Sequence, residues 1–265
     1  MSPRRSYPYS ELKSKILFGD HEPIFSKLPS NVSANLRYRG SENALLWNMI
    51  YPMAQPTLPM KSLLAVSPQW GTVKLDLEDD RLEPYFWGYS ISGERLPGLD
   101  RILERIDGTG PKTEVDLFLF GKANLIVVEA KHLSQLGRCS RYSKKRCPEI
   151  HGETIPERLP CRYWESGEHE FRRLLDFGDR PRQGNPSPPC NQHYQLARTT
   201  LVGDTLAKEY QLDFSLWLLI AKTKWRSIER TWLDFTGRIR QDDLWRRMRV
   251  IAWEDIGRMF AENHE

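Results

Sequence analysis

Residues Thr113 to His132, TEVDLFLFGKANLIVVEAKH, constrain the fold more than any other stretch of this 265-residue chain. Two β-rich runs, Val115 to Phe120 and Leu125 to Ala130, flank Gly121-Lys122-Ala123-Asn124, a turn whose Gly and Asn accept positive φ. Pairing Phe120 with Leu125 sets the register: Phe118 faces Val127, Asp116 faces Glu129, and Glu114 faces Lys131. A tighter turn closed by Gly121 and Asn124 gives the same register. Strand side chains alternate between faces, so Val115, Leu117, Leu119, Ile126, Val128 and Ala130 share one apolar face. The other face carries Phe118, Phe120, Leu125 and Val127, then turns ionic at one end with Glu114, Asp116, Glu129 and Lys131. Apolar residues on both faces predict central strands covered on both sides. Ionised groups at the mouth of a buried sheet are costly unless they are paired or bind a metal. Three carboxylates against one lysine leave surplus negative charge, which a divalent cation would neutralise.

The arrangement Asp116-x12-Glu129-x-Lys131, with Glu-x-Lys ending an apolar strand, resembles the PD-(D/E)xK nuclease superfamily of restriction endonucleases, repair nucleases and phage exonucleases. Val115 stands where the motif's leading proline would be, a departure common in that superfamily. The resemblance covers the hairpin and, less tightly, the helix and strand after it. It implies a restriction-endonuclease-like α/β core, a mixed central β-sheet flanked by helices. It also implies Mg²⁺, one or two ions, held by Asp116 and Glu129, with the Ala130 carbonyl as a further oxygen ligand suited to a hard cation. Lys131 would orient water or stabilise developing negative charge. Glu114 is either a further ligand or a salt-bridge partner of Lys131.

The rest of the chain accommodates that core. The net charge is +4 and the pI about 8.8, which suits a nucleic-acid partner without demanding one. No apolar run has the length of a membrane helix, and the N-terminal sequence MSPRRSYPYSELKSK lacks the apolar core of a secretory signal. A cytoplasmic protein is expected, with its four cysteines outside disulfides. Residues 1–40, rich in Ser, Pro and Arg, read as a partly ordered arm, either a loosely packed, solvated terminus or one whose basic residues touch a phosphate backbone, and residues 41–265 as one nuclease-like domain. Ser41 to Met53 has an N-cap Ser and helical apolar spacing, closed by Pro52. It resembles the early helix of the superfamily, and Glu42 is the only acid in it that could join the site. Its position also suits the helix dipole.

Pro56 to Ser67 reads as a loop, Trp70 to Leu77 as a strand, Leu82 to Ser92 as extended and Leu99 to Ile106 as a short helix. Glu83 is a second weak candidate for an extra acid. Asn191 to Lys208 is predicted to be the helix after the hairpin, with Gln192, Gln195 and Arg198 or Thr199 near one face. Part of the superfamily carries Gln-x-x-x-Tyr on this helix. This chain has Tyr194-Gln195 instead, which leaves Gln195 as a supporting residue or phosphate contact. Phe214 to Ala221 is predicted as a strand parallel to Leu125–Ala130. Lys222 and Lys224 follow it, where the catalytic faces of α/β sheets open. Gln241 to Arg247 reads as a short helix, Arg249 to Trp253 as a last strand and Glu254 to Ala261 as a closing helix.

Between hairpin and helix lies a Cys-rich insertion at about 137–190. It holds Cys139, Cys147, Cys161 and Cys190 and the basic run Arg138, Arg141, Lys144, Lys145 and Arg146. Four cysteines in one segment suggest a tetrahedral thiolate site for structural Zn²⁺, with His151, His169 or His193 able to replace one of them. Some superfamily nucleases hold an iron–sulfur cluster instead, but with one cysteine well upstream of the core, which favours zinc here. The expected function is metal-dependent hydrolysis of phosphodiester bonds, with DNA the expected substrate; many superfamily members cut as homodimers. The rival reading is a non-catalytic, zinc-containing nucleic-acid-binding protein in which the hairpin charges form a structural salt-bridge group.

Overall fold

The computed structural model describes residues 7–8, 11–12, 16–19, 21–38, 40–54, 58–59, 66–72, 81–152, 160–184 and 187–262. The eight strands among them are β1 (Leu58–Pro59), β2 (Trp70–Gly71), β3 (Arg81–Phe86), β4 (Tyr89–Ser90), β5 (Leu117–Phe120), β6 (Asn124–Lys131), β7 (Asp213–Ile220) and β8 (Arg249–Ala252). They run in the order β1-β3-β5-β6-β7-β8-β2, with β4 on β3. Pairing is antiparallel from β1 through β6, parallel for β6–β7–β8, and antiparallel again for β8–β2. This is the mixed α/β sheet that the hairpin and the parallel return strand predict. Most of the predicted strand over Trp70–Leu77 and much of the Pro56–Ser67 loop lie outside the described residues.

The hairpin takes the predicted register, with Phe120 opposite Leu125 and Phe118 opposite Val127. The Gly121 amide donates to the Asn124 carbonyl at 2.8 Å, closing the turn. Every residue of β6 is buried, and all but the first of β7. Each lies between two other strands and two helical layers, which explains their unbroken apolar runs.

The longer helices among the described residues are α1 (Ser30–Leu36), α2 (Glu42–Ile50), α3 (Leu99–Asp107), α4 (Tyr194–Tyr210), α5 (Lys222–Thr236) and α6 (Trp253–Glu262). On one sheet face Phe118, Leu125, Val127, Leu216 and Leu218 pack with Ile102 and Ile106 of α3, Leu201 of α4 and Trp232 of α5. On the other, Leu117, Leu119, Ile126, Val128 and Trp217 pack with Val32 and Leu36 of α1, Trp47 of α2 and Ile256 of α6. The faces are those the alternation predicts, except that Val115 joins the first cluster, because it precedes the paired part of β5. Gly203 lets α4 approach β7 closely: a Cβ there would lie 2.3 Å from the Phe214 ring.

Two expectations change. The N-terminal residues are not a loosely packed arm where they are described: Leu12, Leu17, Ile24 and Leu36 are buried to within about a hundredth of their surface. They join the core on the second face of the sheet, beside Trp47 and Ile256. The segment between β6 and α4 is likewise not all appended, since Tyr163, Trp164, Phe171, Leu174 and Phe177 belong to the core on the α4 side. No helix among the described residues is long and apolar enough to cross a membrane.

Phe118 is fully enclosed between β6 and the α3 layer. Phe118→Ala should therefore cost about 3–5 kcal/mol, read as a lowered denaturation midpoint. An unchanged midpoint would contradict this burial.

Candidate active site

The ionic end of the hairpin lies where β6 leaves the sheet. Glu129 and Lys131 point to the α4 side, two residues apart on one face, and both are enclosed, at 0% and 5% exposure. The Lys131 Nζ donates to Glu129 Oε1 at 2.7 Å and to the Ala130 carbonyl at 2.9 Å. Burial opposes the charge on Lys131, but Glu129, Asp116 and Glu42 outweigh it and hold the ammonium above its ordinary range. Helix α4 completes the cradle. The Gln195 Nε2 donates to Glu129 Oε1, and Thr199, one turn on, reaches Glu129 Oε2 at 3.4 Å. Gln195 is itself tied down, accepting from the Gly137 amide at 2.7 Å through Oε1. Helical spacing puts Thr199 on the face of Gln195 but assigns it no task; the structure makes it a partner of Glu129.

Asp116 stands just before β5 and is half-buried. Its Oδ2 accepts from the Ala130 amide at 2.8 Å, while its own carbonyl accepts from Trp87 at 3.0 Å. Burial and the adjacent Glu129 push its carboxyl well above the usual range. The two acids are thus side by side and share surplus negative charge, as the register predicts.

The supporting acids are placed otherwise. Glu114 does not face Lys131: it is exposed and accepts from Asn31 Nδ2 at 2.7 Å. Pairing with β6 ends at Leu117–Val128, and the chain before it turns toward β3, so the register cannot be extended to Glu114. Glu42 anchors backbone. Its Oε1 accepts from the amides of His132, Leu133 and Ser134 at 2.8, 3.1 and 2.8 Å, and its Oε2 from Ser134 Oγ at 3.0 Å. Burial raises the Glu42 carboxyl, but those amides and Lys131 outweigh it and leave it lowered. Glu83 pairs with Phe120 at the opposite end of the hairpin, away from the site. Lys222 is taken up by Asp255 at 2.5 Å.

A family model, REase-ARP, described as a restriction endonuclease associating with ARP, matches residues 40–264. The chain belongs to this family. No curated protein and no solved structure matches it. The REase-ARP match spans the sheet, α2 and α4, and so includes every residue of the Glu129 cradle. It bears out the resemblance to restriction endonucleases and the α/β core, and it points to a nuclease acting on nucleic acid. In this REase-ARP chain no group of three or more His, Cys, Asp or Glu side chains among the described residues is arranged to hold a metal ion. The hairpin offers two carboxylates and a backbone carbonyl rather than three such side chains.

Glu42 joins α2 to the exit of β6 across about ninety residues of chain. Glu42→Ala should cost about 1–2 kcal/mol, as loss of a capping carboxylate does, read by chemical denaturation. A variant as stable as the parent would remove this role.

Proposed function

We propose that the protein is a metal-dependent nuclease that hydrolyses phosphodiester bonds in DNA at the Asp116–Glu129–Lys131 site. The observation that supports this reading is the meeting of two buried or half-buried carboxylates beside a charged lysine at the end of a central strand. Two such acids repel at close range, and a hard dication with oxygen ligands is what relieves that repulsion. Asp116 and Glu129 would hold Mg²⁺, with the Ala130 carbonyl alongside. A bound dication supplies Lewis-acid stabilisation of phosphate charge and lowers the pKa of a bound water. Lys131 keeps its proton and presents positive charge where a phosphate would gain negative charge in the transition state. Gln195 and Thr199 hold Glu129 in one orientation. Glu42 acts at a distance, by fixing the backbone that follows Lys131.

The rival, a non-catalytic binding protein, treats Glu129–Lys131 as a structural ion pair. Asp116 argues against that, because a third charge of the same sign as Glu129 weakens a structural pair.

Asp116→Asn keeps shape and removes charge, so it should lose Mg²⁺ affinity and turnover, as should Glu129→Ala. Lys131→Ala should still bind metal while cleavage falls by orders of magnitude. Removing one partner of a buried pair costs about 3–5 kcal/mol, so a thermal melt must accompany that variant. The measurement is plasmid and linear DNA cleavage with and without Mg²⁺, alongside metal calorimetry. Folded variants that all cleave as fast as the parent would sink the assignment.

The four cysteines support a structural zinc as a second metal. Cys139, Cys147 and Cys161 each stand in extended conformation directly before a short helical turn. Amides of Glu149 and Ile150 face the Cys147 sulfur, and that of Tyr163 faces Cys161. The Cys139 amide donates to Asn191 beside Cys190, and the Cys161 amide to Glu149 beside Cys147. Burial and the neighbouring thiols push Cys161 and Cys190 up to about 12, so only a metal would draw off their protons. The thiols are gathered without being closed on one point; zinc would have to close them. The expected result is about one zinc per chain by elemental analysis. Four freely titrating thiols in metal-free folded protein would rule it out.

A further inference from the structure

Beside the catalytic hairpin, a cavity of about 590 Å³ opens between the Gln135–Arg138 segment, the start of α4 and one side of α5. Ligand clefts commonly measure about 300–1,000 Å³. Its position is tied to the active site through one pair of residues. The Gly137 amide donates to Gln195 Oε1, and the Gln195 amide donates to the Gly137 carbonyl at 3.1 Å. Leu136 and Arg138 flank Gly137 and line the cavity, and Gln192 and His193 do so just before Gln195. The residue that holds Glu129 is therefore bonded to the segment that lines the cavity.

The charge in this cavity is unevenly committed. Its one carboxylate, Asp234, is fully engaged. It takes His193 Nε2 at 2.6 Å and Arg238 at 3.1 and 3.2 Å through two nitrogens. Arg238 is held further by the Asp176 carbonyl at 3.1 Å. His193 is buried, and its Nδ1 has no partner among the described residues. These three side chains form one linked group on the cavity wall. Arg138 and Arg230 face the same cavity, are exposed, and have no hydrogen-bond or ion-pair partner among the described residues. On α5 the lining residues Ser227, Arg230, Thr231 and Asp234 recur at three- and four-residue spacing, a polar stripe next to the core-facing Ile228 and Trp232. A solvated stripe would face open water, whereas this one faces a cleft.

We propose that this cavity binds a backbone phosphate of the nucleic-acid strand flanking the scissile bond, with Arg138 and Arg230 as its charged contacts. The inference rests on the nuclease reading of the neighbouring site and adds where the strand runs: past Gly137 and along α5. Guanidinium forks match phosphate oxygens. Two of them line this one cavity, and neither has an ion pair to give up on binding. Arg226, exposed one turn before Arg230 on the same helix, extends the basic line. A line of cations leading from the hairpin suits an extended strand.

The test is anisotropy of a labelled DNA duplex with Ca²⁺ in place of Mg²⁺, measured over a series of salt concentrations. Arg138→Ala/Arg230→Ala should bind at least about tenfold more weakly and show a salt slope shallower by about 2. The Arg138→Lys/Arg230→Lys protein should recover most of the slope, since the charges return. Affinity and slope equal to the parent's in the folded alanine variant would overturn the inference, even where the parent cleaves DNA. Tight binding of inorganic phosphate lost in the alanine variant, with DNA binding unchanged, would also overturn it. Pocket-dependent DNA binding by a parent that cleaves nothing would uphold the inference and overturn the nuclease reading alone.

Discussion

The buried ion pair between Glu129 and Lys131 is the constraint around which this end of the molecule is arranged. Taking two charges out of water costs several kcal/mol per ion, and a pair alone seldom returns it. The surroundings make up the difference with directed hydrogen bonds: Gln195 and Thr199 on Glu129, and the Ala130 carbonyl on Lys131. Two of these partners come from α4 and one from β6 itself, so the site can exist only once β6 and α4 have packed. Asp116 then adds a second carboxylate to the first. In a purely structural role that addition would be a net loss, whereas a dication there would take it as a second oxygen ligand.

The few residues after the site are anchored by α2, by the start of α6 and by the end of β7. From one side Glu42 of α2 gathers the amides of residues 132–134. From just beyond β8 the Trp253 indole donates to the Lys131 carbonyl at 3.1 Å, and from just beyond β7 the Ala221 amide reaches the same oxygen at 3.3 Å. A strand that ends in a charged group would otherwise fray where its pairing stops. Anchoring its exit from three elements keeps Lys131 oriented, which is the kind of outer support that preorganised sites need.

Charge is graded across this region. The carboxylates are concentrated and enclosed at the strand end, while uncommitted cations lie outside it, on the Arg138 segment and along α5. A polyanion approaching such a surface meets attraction first and the acids last, at the point where a cation would cover them. The mildly positive net charge of +4 carries little of this; its distribution carries most.

The sequence by itself determined the hairpin, its register, its two faces, the parallel strand Asp213–Ile220 and the helix before it. It could do so because side-chain alternation and short turns are local, and an apolar run of eight residues has few other folds available. It also brought Asp116, Glu129 and Lys131 together, since cross-strand register follows from the turn. Where register stopped, so did the reading. Glu114 falls outside the pairing because the ladder between β5 and β6 ends at Leu117 and Val128, and its carboxylate goes to Asn31. The anchoring role of Glu42, the packing of Leu12 and Leu17 and the His193–Asp234–Arg238 group lining the basic cavity were decided only by the tertiary structure. Most of these contacts join residues tens of positions apart, across elements whose packing sets the distance, and no periodicity along the chain encodes that.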